Sequence, residues 1–404
     1  MNTPAPLDTP HARLRFELRH RHVRQLSQIG DDYKLRTEPS PDDPINVQML
    51  MQWTQEAQQQ FDNAVAKQIF GQKGTISWEI AIVTFLEAAA MYLRDVGLVV
   101  AAIKEAKAGN KEKATEYLVK SEEGINEIAA FWGFEYTTIC DLFSTTPDGH
   151  LLIVGPFCGA FSPKDQSNPF IGIGFKGTSS TQEMITDIVR QPQATGSSSI
   201  LWGTNVSAGV FNCLFGTYGD WGVPMDHIMG YIQTYAALLP EGANQLITHV
   251  TGHSLGASYA TLCYAQLLQC QSTNTVLGDL YAFGSPRIGE NSFASQLKTA
   301  LKTAQGSTWR VVDQDDSVTA LPPAPAHLVG PLPLQDDPRV YIHVDSGYRI
   351  FRGNLPVAIE SEIDQDPGPA PQTVEYISDL QHEQDHSPVY YWASLLVANG
   401  TSGV

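Results

Sequence analysis

One segment constrains this chain more than any other: Gly252-His253-Ser254-Leu255-Gly256, the only G-x-S-x-G in its 404 residues. Leu246–Thr251, just before it, is apolar and β-branched and reads as a strand. Ala257–Leu262, just after it, is small and apolar and reads as a buried helix. A strand that turns this sharply into a helix leaves no space for side chains at 252 and 256, which would collide with neighbouring backbone. The residue between them is thrown outward at the helix N-terminus, where free N–H groups and the helix dipole favour developing negative charge. A serine in that place is a candidate nucleophile, and strand–turn–helix is the setting the motif requires. A Gly-rich turn that merely caps a helix is the plainer alternative.

The flanking grammar agrees with such a turn. From His150 onward short β-rich runs (Leu151–Val154, Phe170–Phe175, Leu246–Thr251, Leu280–Phe283, Trp309–Val312 and Val340–Val344) alternate with helical stretches such as Met229–Leu239 and Gly256–Leu268. This alternation predicts an α/β fold with a mostly parallel central sheet. Residues 1–44 are Pro-rich and charged without clear periodicity, and read as an extended arm. Residues 45–140 read as a helical N-terminal region, and 141–404 as the α/β region. In the helical part Trp53, Ala57, Phe61, Val65 and Ile69 recur at four-residue steps up to the Gly71–Gly74 break. Ser77 is placed to cap a second helix running to about Ala108, with Gly97 a potential bend, and a more polar helix follows from Lys111 to about Phe131.

Composition narrows the function classes. A net charge of −18 argues against nucleic acid and against electrostatic docking on anionic membranes, while leaving neutral lipids and uncharged esters open. The longest apolar stretch, Ile76–Ile103, carries Glu79, Glu87, Arg94 and Asp95, so a buried helix is expected there rather than an integral membrane segment. The N-terminus shows no apolar signal core; a cytoplasmic location is favoured, with a processed, secreted form left open. Cys140, Cys158, Cys213, Cys263 and Cys270 are odd in number and read as buried, reduced thiols. Gly172-Ile173-Gly174-Phe175-Lys176-Gly177 matches the dinucleotide pattern G-x-G-x-x-G, but it lies inside a strand pattern and has no acid about twenty residues on. The acidic runs Asp315–Asp316 and Glu360–Asp366 lack metal-ligand spacing. No cofactor and no metal are expected.

Several ordered motifs over roughly residues 150–395 resemble the class 3 lipase family, also called fungal lipase-like, within the α/β-hydrolase superfamily. Phe175-Lys176-Gly177-Thr178-Ser179-Ser180 resembles its oxyanion turn, Val206–Phe211 the segment after its lid, and Tyr281–Gly289 a signature beyond the elbow helix. Arg310–Val318 with Leu321-Pro322-Pro323 resembles the segment bearing the acid, and His386-Ser387-Pro388-Val389-Tyr390-Tyr391 the final segment bearing the histidine. Lys176, Met184, Ser207 and Ala257 depart from the usual Arg, Trp, His and Gly. The resemblance implies an α/β-hydrolase fold and an ester hydrolase acting on triacylglycerol or other lipid esters, with phospholipid and aromatic esters as narrower alternatives.

A serine hydroxyl needs a base to take its proton and a carboxylate to orient that base, in the chain order Ser, acid, His for this fold class. The resemblance assigns Asp316 as the acid, with Asp313 and Asp315 as rivals. It assigns His386 as the base, with His382 the alternative, while His343 reads as a packing residue and His327 as a loop residue. The oxyanion donors would be the Leu255 N–H, which follows from the elbow, and Thr178, which follows from the resemblance. Met184, Ile185, Ile188 and Val189 recur at helical spacing after the oxyanion turn and read as a lid or as a fixed surface helix. The competing class is a non-catalytic lipase-like interaction protein.

Overall fold

Eight strands form one sheet whose spatial order follows chain order: β1 (Phe134–Asp141), β2 (Phe157–Pro163), β3 (Phe170–Phe175), β4 (Leu246–His253), β5 (Thr275–Phe283), β6 (Thr308–Asp313), β7 (Ser346–Ile350) and β8 (Val357–Ile359). Strands β3 to β7 are mutually parallel, and the antiparallel β1, β2 and β8 close the two edges. The computed structural model describes residues 10–29, 34–35, 45–142, 144–145, 150–152, 157–177, 192–270, 275–322, 341–344, 346–363 and 384–400. This is the mostly parallel α/β sheet that the strand–helix alternation predicts.

Both faces of a parallel sheet must be covered, because its strands are apolar on both sides. One face is covered by α8 (Ala208–Phe215), α9 (Pro224–Ala237), α10 (Leu255–Cys270) and α11 (Asn291–Leu301). The other is covered mainly by the N-terminal helices α2 (Val47–Glu56), α3 (Gln58–Ala66), α4 (Trp78–Ala90) and α7 (Glu123–Phe131), joined by the C-terminal α12 (Pro388–Ala398). The helical region read as additional to the α/β core is therefore half of that core's cover. Every residue of α4 from Ile80 to Ala90 is buried, the polar Thr84 and Glu87 included, as expected of a predominantly apolar helix packed inside the molecule.

Polar bonds tie α4 to β4, the strand that leads into the elbow. Thr251 Oγ1 donates to the Thr84 carbonyl at 2.9 Å. His249 Nε2 lies 2.7 Å from Glu87 Oε2, with both side chains fully buried.

The boundaries differ from the sequence reading in places, each with a local cause. Residues 10–27, read as part of an extended arm, form helix α1 (Pro10–Ser27), which buries Leu18, His22, Val23 and Leu26. The polar residues between these positions hide the helical period in the sequence. Residues 134–140, read with the helical region, belong to β1, and β2 was not anticipated. Both are buried almost throughout, so the alternation that marks a half-exposed strand is missing.

The helix expected from Ser77 does start there, with Ser77 Oγ accepting from Ile80 N. It ends at Ala90, passes through a 3₁₀ turn (Met91–Leu93), and restarts as α5 (Val96–Lys107), capped by Asp95. The break precedes Gly97: it is set by the Asp95 cap and by Arg94, buried in an ion pair with Asp141. The Lys111–Phe131 helix likewise divides into α6 (Lys111–Ser121) and α7 at Glu122, which is buried and accepts from Arg19. The run Val340–Val344, expected as a strand, shows in residues 341–344 only a single bridge from Ile342 to Gly289, and β7 begins after it.

Removing one member of a buried hydrogen-bonded pair leaves the other desolvated without a partner. Glu87→Ala is expected to lower unfolding stability by about 3 kcal/mol, measured by urea denaturation. A loss well under 1 kcal/mol would show that the Glu87–His249 pair does not bind α4 to β4.

Candidate active site

The elbow is built as the glycine pattern requires. β4 ends at His253, Ser254 has a φ of +60°, and α10 begins at Leu255. A Cβ at 252 would overlap the Gly256 carbonyl and sit 2.8 Å from the Ala257 nitrogen. At 256 it would overlap the Phe175 carbonyl and sit 2.9 Å from the Gly177 nitrogen. Gly177 meets the same limit from the other side, since a Cβ there would lie 3.0 Å from that of Ser254. β3 and the elbow are thus in backbone contact, and the Ser254 N–H donates to the Phe283 carbonyl at 2.9 Å, tying the turn to β5.

Ser254 Oγ lies 2.8 Å from His386 Nε2, and His386 Nδ1 lies 2.9 Å from Asp316 Oδ2. The acid follows β6, and the histidine sits in a short turn just before α12. Asp316 is buried and fully engaged: Tyr391 Oη donates to Oδ2 at 2.7 Å, and the Val318 N–H donates to Oδ1 at 2.9 Å. Gly284, with φ of +60°, clears the space beside this relay, because a Cβ there would be 3.0 Å from Asp316 Oδ2 and from the Tyr391 hydroxyl.

The rival acids have other partners. Asp315 pairs with Arg349 at 2.7 Å on the surface. Asp313 is buried, accepts from Ser394 Oγ at 2.5 Å, and is pushed up to about 7 by burial. His343 is buried with Nε2 2.9 Å from the Thr319 carbonyl, as its packing reading implies. His382, Thr178 and the lid residues Met184, Ile185, Ile188 and Val189 lie outside the described residues.

Leu255, the first residue of α10, has an N–H with no intrahelical acceptor, beside Ser254. Among the described residues no group of His, Cys, Asp or Glu could hold a metal ion, and no helix is long and apolar enough to cross a membrane.

Four residues around the relay, His253, Tyr92, Lys176 and Tyr391, had no role assigned from sequence. The His253 ring stacks on His386 with centroids 4.8 Å apart, and its Nδ1 lies 2.9 Å from the Tyr92 hydroxyl. Burial, followed by the neighbouring His386, lowers the His253 pKa well below the usual range, so this ring is neutral. Lys176 Nζ sits 5.4 Å from the Tyr92 ring centroid and donates to the Gly177 carbonyl. Tyr391, five residues after His386, carried only the mark of an aromatic near the final histidine. Tyr92 carried no signal at all, since nothing in its spacing points to an elbow more than a hundred residues away.

Residues 172–326 match the family described as "Lipase (class 3)". The chain is 28% identical over 160 residues to secreted mono- and diacylglycerol lipase A of Penicillium cyclopium, covering 39% of this chain and 45% of that protein. It is 40% identical over 74 residues to secreted mono- and diacylglycerol lipase 1 of Fusarium solani, covering 18% of this chain and 20% of that one. The chain thus spans less than half the length of either relative. Among solved structures, lipase II from Rhizopus niveus is 19% identical with a TM-score of 0.40, over 70% of this chain and 86% of that one.

Asp313 supplies a pH test of the site's surroundings. Its folded carboxyl is raised above its unfolded value, so the folded state holds the proton longer. The resulting stabilisation is full below about pH 4 and is lost as pH climbs through about 7. Asp313→Asn, which cannot ionise, is expected to flatten the fall in thermal midpoint between pH 5 and pH 8, read by scanning fluorimetry across that range. An equally steep fall in the variant would remove Asp313 as its source. Separately, Gly256→Ala is expected to destabilise by about 2 kcal/mol or more through forced backbone displacement, read by urea unfolding.

Proposed function

We propose, on the match of residues 172–326 to the class 3 lipase family, that the chain is a serine hydrolase of lipid esters working through an acyl-enzyme. The observation that carries the reading is the continuous relay from Ser254 Oγ through both nitrogens of His386 to Asp316. Ser254 attacks the ester carbonyl while His386 Nε2 takes its proton. Asp316 holds the ring through Nδ1–H and balances the imidazolium that forms. His386 then returns the proton to the departing alcohol, and water resolves the acyl-enzyme by the same route. The Leu255 N–H, with Thr178 as the resemblance implies, receives the oxyanion, for which both donors must face the tetrahedral oxygen.

The substrates we favour are acylglycerols, the class in the names of both relatives. The segment 184–189 is proposed as a lid through its amphipathic spacing. The relatives are named as secreted proteins, which does not support the cytoplasmic expectation, and we carry a secreted location into the proposal instead. The division of the chain is proposed as an entry segment before residue 45, helices that cover the sheet, and an α/β region, with residues 134–141 counted in the sheet. An interaction protein without catalysis is disfavoured by an intact relay, since loss of a relay member carries no penalty for such a protein.

A fluorophosphonate is expected to label the purified chain at Ser254 and to leave Ser254→Ala unlabelled. Hydrolysis of p-nitrophenyl esters is expected to fall by about 10³-fold or more in Ser254→Ala and His386→Ala. No labelling of the folded parent protein would overturn the hydrolase reading. Tyr391→Phe removes one of the donors on Asp316 and is expected to lower kcat/KM by about tenfold with KM little changed.

A further inference from the structure

We propose that Cys140 and Cys158 form a site of oxidative cross-linking, a disulfide that staples the edge strand β1 to β2. The two residues face each other in the antiparallel ladder between these strands. Side chains at opposed positions of such a ladder project from the same face, with Cα atoms roughly 4.5 or 5.5 Å apart. Both spacings fall inside the roughly 4.4–6.8 Å that a disulfide spans. The Cys140 thiol interacts with Cys158 and donates to the Pro224 carbonyl at 3.9 Å, and both cysteines are fully buried in the core on the α9–α10 face. All five cysteines are reduced in the structure. Cys263 lies in the same core cluster, but it belongs to the helix layer and no ladder register ties it to either strand residue.

The timing follows from burial. Desolvation raises the Cys140 thiol well above its ordinary range, and a buried thiol meets no oxidant, so the exchange belongs to folding, before β1 docks. One cysteine thiolate attacks a low-molecular-weight disulfide such as glutathione disulfide, forms a mixed disulfide and releases one small thiolate. The second cysteine attacks the first cysteine's own sulfur in that mixed disulfide, forms the Cys140–Cys158 bond and releases the other small thiolate. Two thiols lose two protons and two electrons, and the small disulfide is reduced to two thiols. Cys158 also pairs across the sheet with Phe175, two residues before Gly177. The bond would therefore brace the strand neighbouring the one that packs against the elbow. This inference is independent of the hydrolase reading.

The test uses the full chain carrying Cys270→Ser, which removes the one exposed thiol, produced under a glutathione redox buffer and, in parallel, under reductant. The oxidised sample is expected to titrate two thiols in denaturant and the reduced sample four. The mass should fall by about 2 Da, and peptide mapping should join the segments bearing Cys140 and Cys158. Its thermal midpoint should lie about 3–5 °C higher and return to the reduced value with dithiothreitol. Cys140→Ser should abolish the cross-link and Cys263→Ser should leave it in place; if either variant fails to fold, mapping of the parent decides alone. Four titratable thiols in the oxidised sample, or a bond from either residue to Cys263, overturns the proposal.

Discussion

Ser254 sits in a left-handed backbone conformation that a non-glycine residue adopts only under constraint, and the rest of the molecule supplies that constraint. The Ser254 N–H is held by the Phe283 carbonyl, and three glycines, at 252, 256 and 177, let strand, helix and the neighbouring turn meet backbone to backbone. Side-chain volume at any of the three would push the serine away from His386. The same close approach brings the end of β3, the Leu255 N–H and the nucleophile into one corner.

The N-terminal helices work for that corner from behind. α4 lies along β4 and binds it through the Thr84 carbonyl and Glu87, and just beyond its end the Tyr92 hydroxyl meets His253. His253 in turn stacks on His386. A chain of packed and hydrogen-bonded groups therefore runs from the helix layer to His386.

Asp316 and His386 arrive from loops after β6 and before α12, and each loop is pinned. Asp316 is fixed by the Val318 N–H and the Tyr391 hydroxyl, so Oδ2 has little freedom other than to face the ring. On the other side Arg352 bonds Asp385, the residue before His386, at 2.5 Å and lies 4.3 Å over the Tyr390 ring. Asp313, a few residues from Asp316, turns instead to Ser394, and its burial raises its pKa. Two carboxyls this near in sequence have different surroundings: Asp316 has several donors, whereas Asp313 is chiefly desolvated.

The local features were legible in the chain itself. The elbow, its glycines, the Ser77 cap, the strand–helix alternation and the burial of the mostly apolar α4 follow from rules acting over a few residues, so sequence by itself determined them. Strands β1 and β2 escaped because burial on both faces erases alternation, and α1 because Arg and His mask its apolar positions. That Asp316 rather than Asp313 or Asp315 contacts His386 was decided only by the tertiary structure, as was the meeting of Ser254 with His386 and the placing of Tyr92 and Tyr391 beside them. Spacing leaves three neighbouring acids equivalent. They are distinguished by a ring 70 residues further along the chain, and no short-range rule carries that distance.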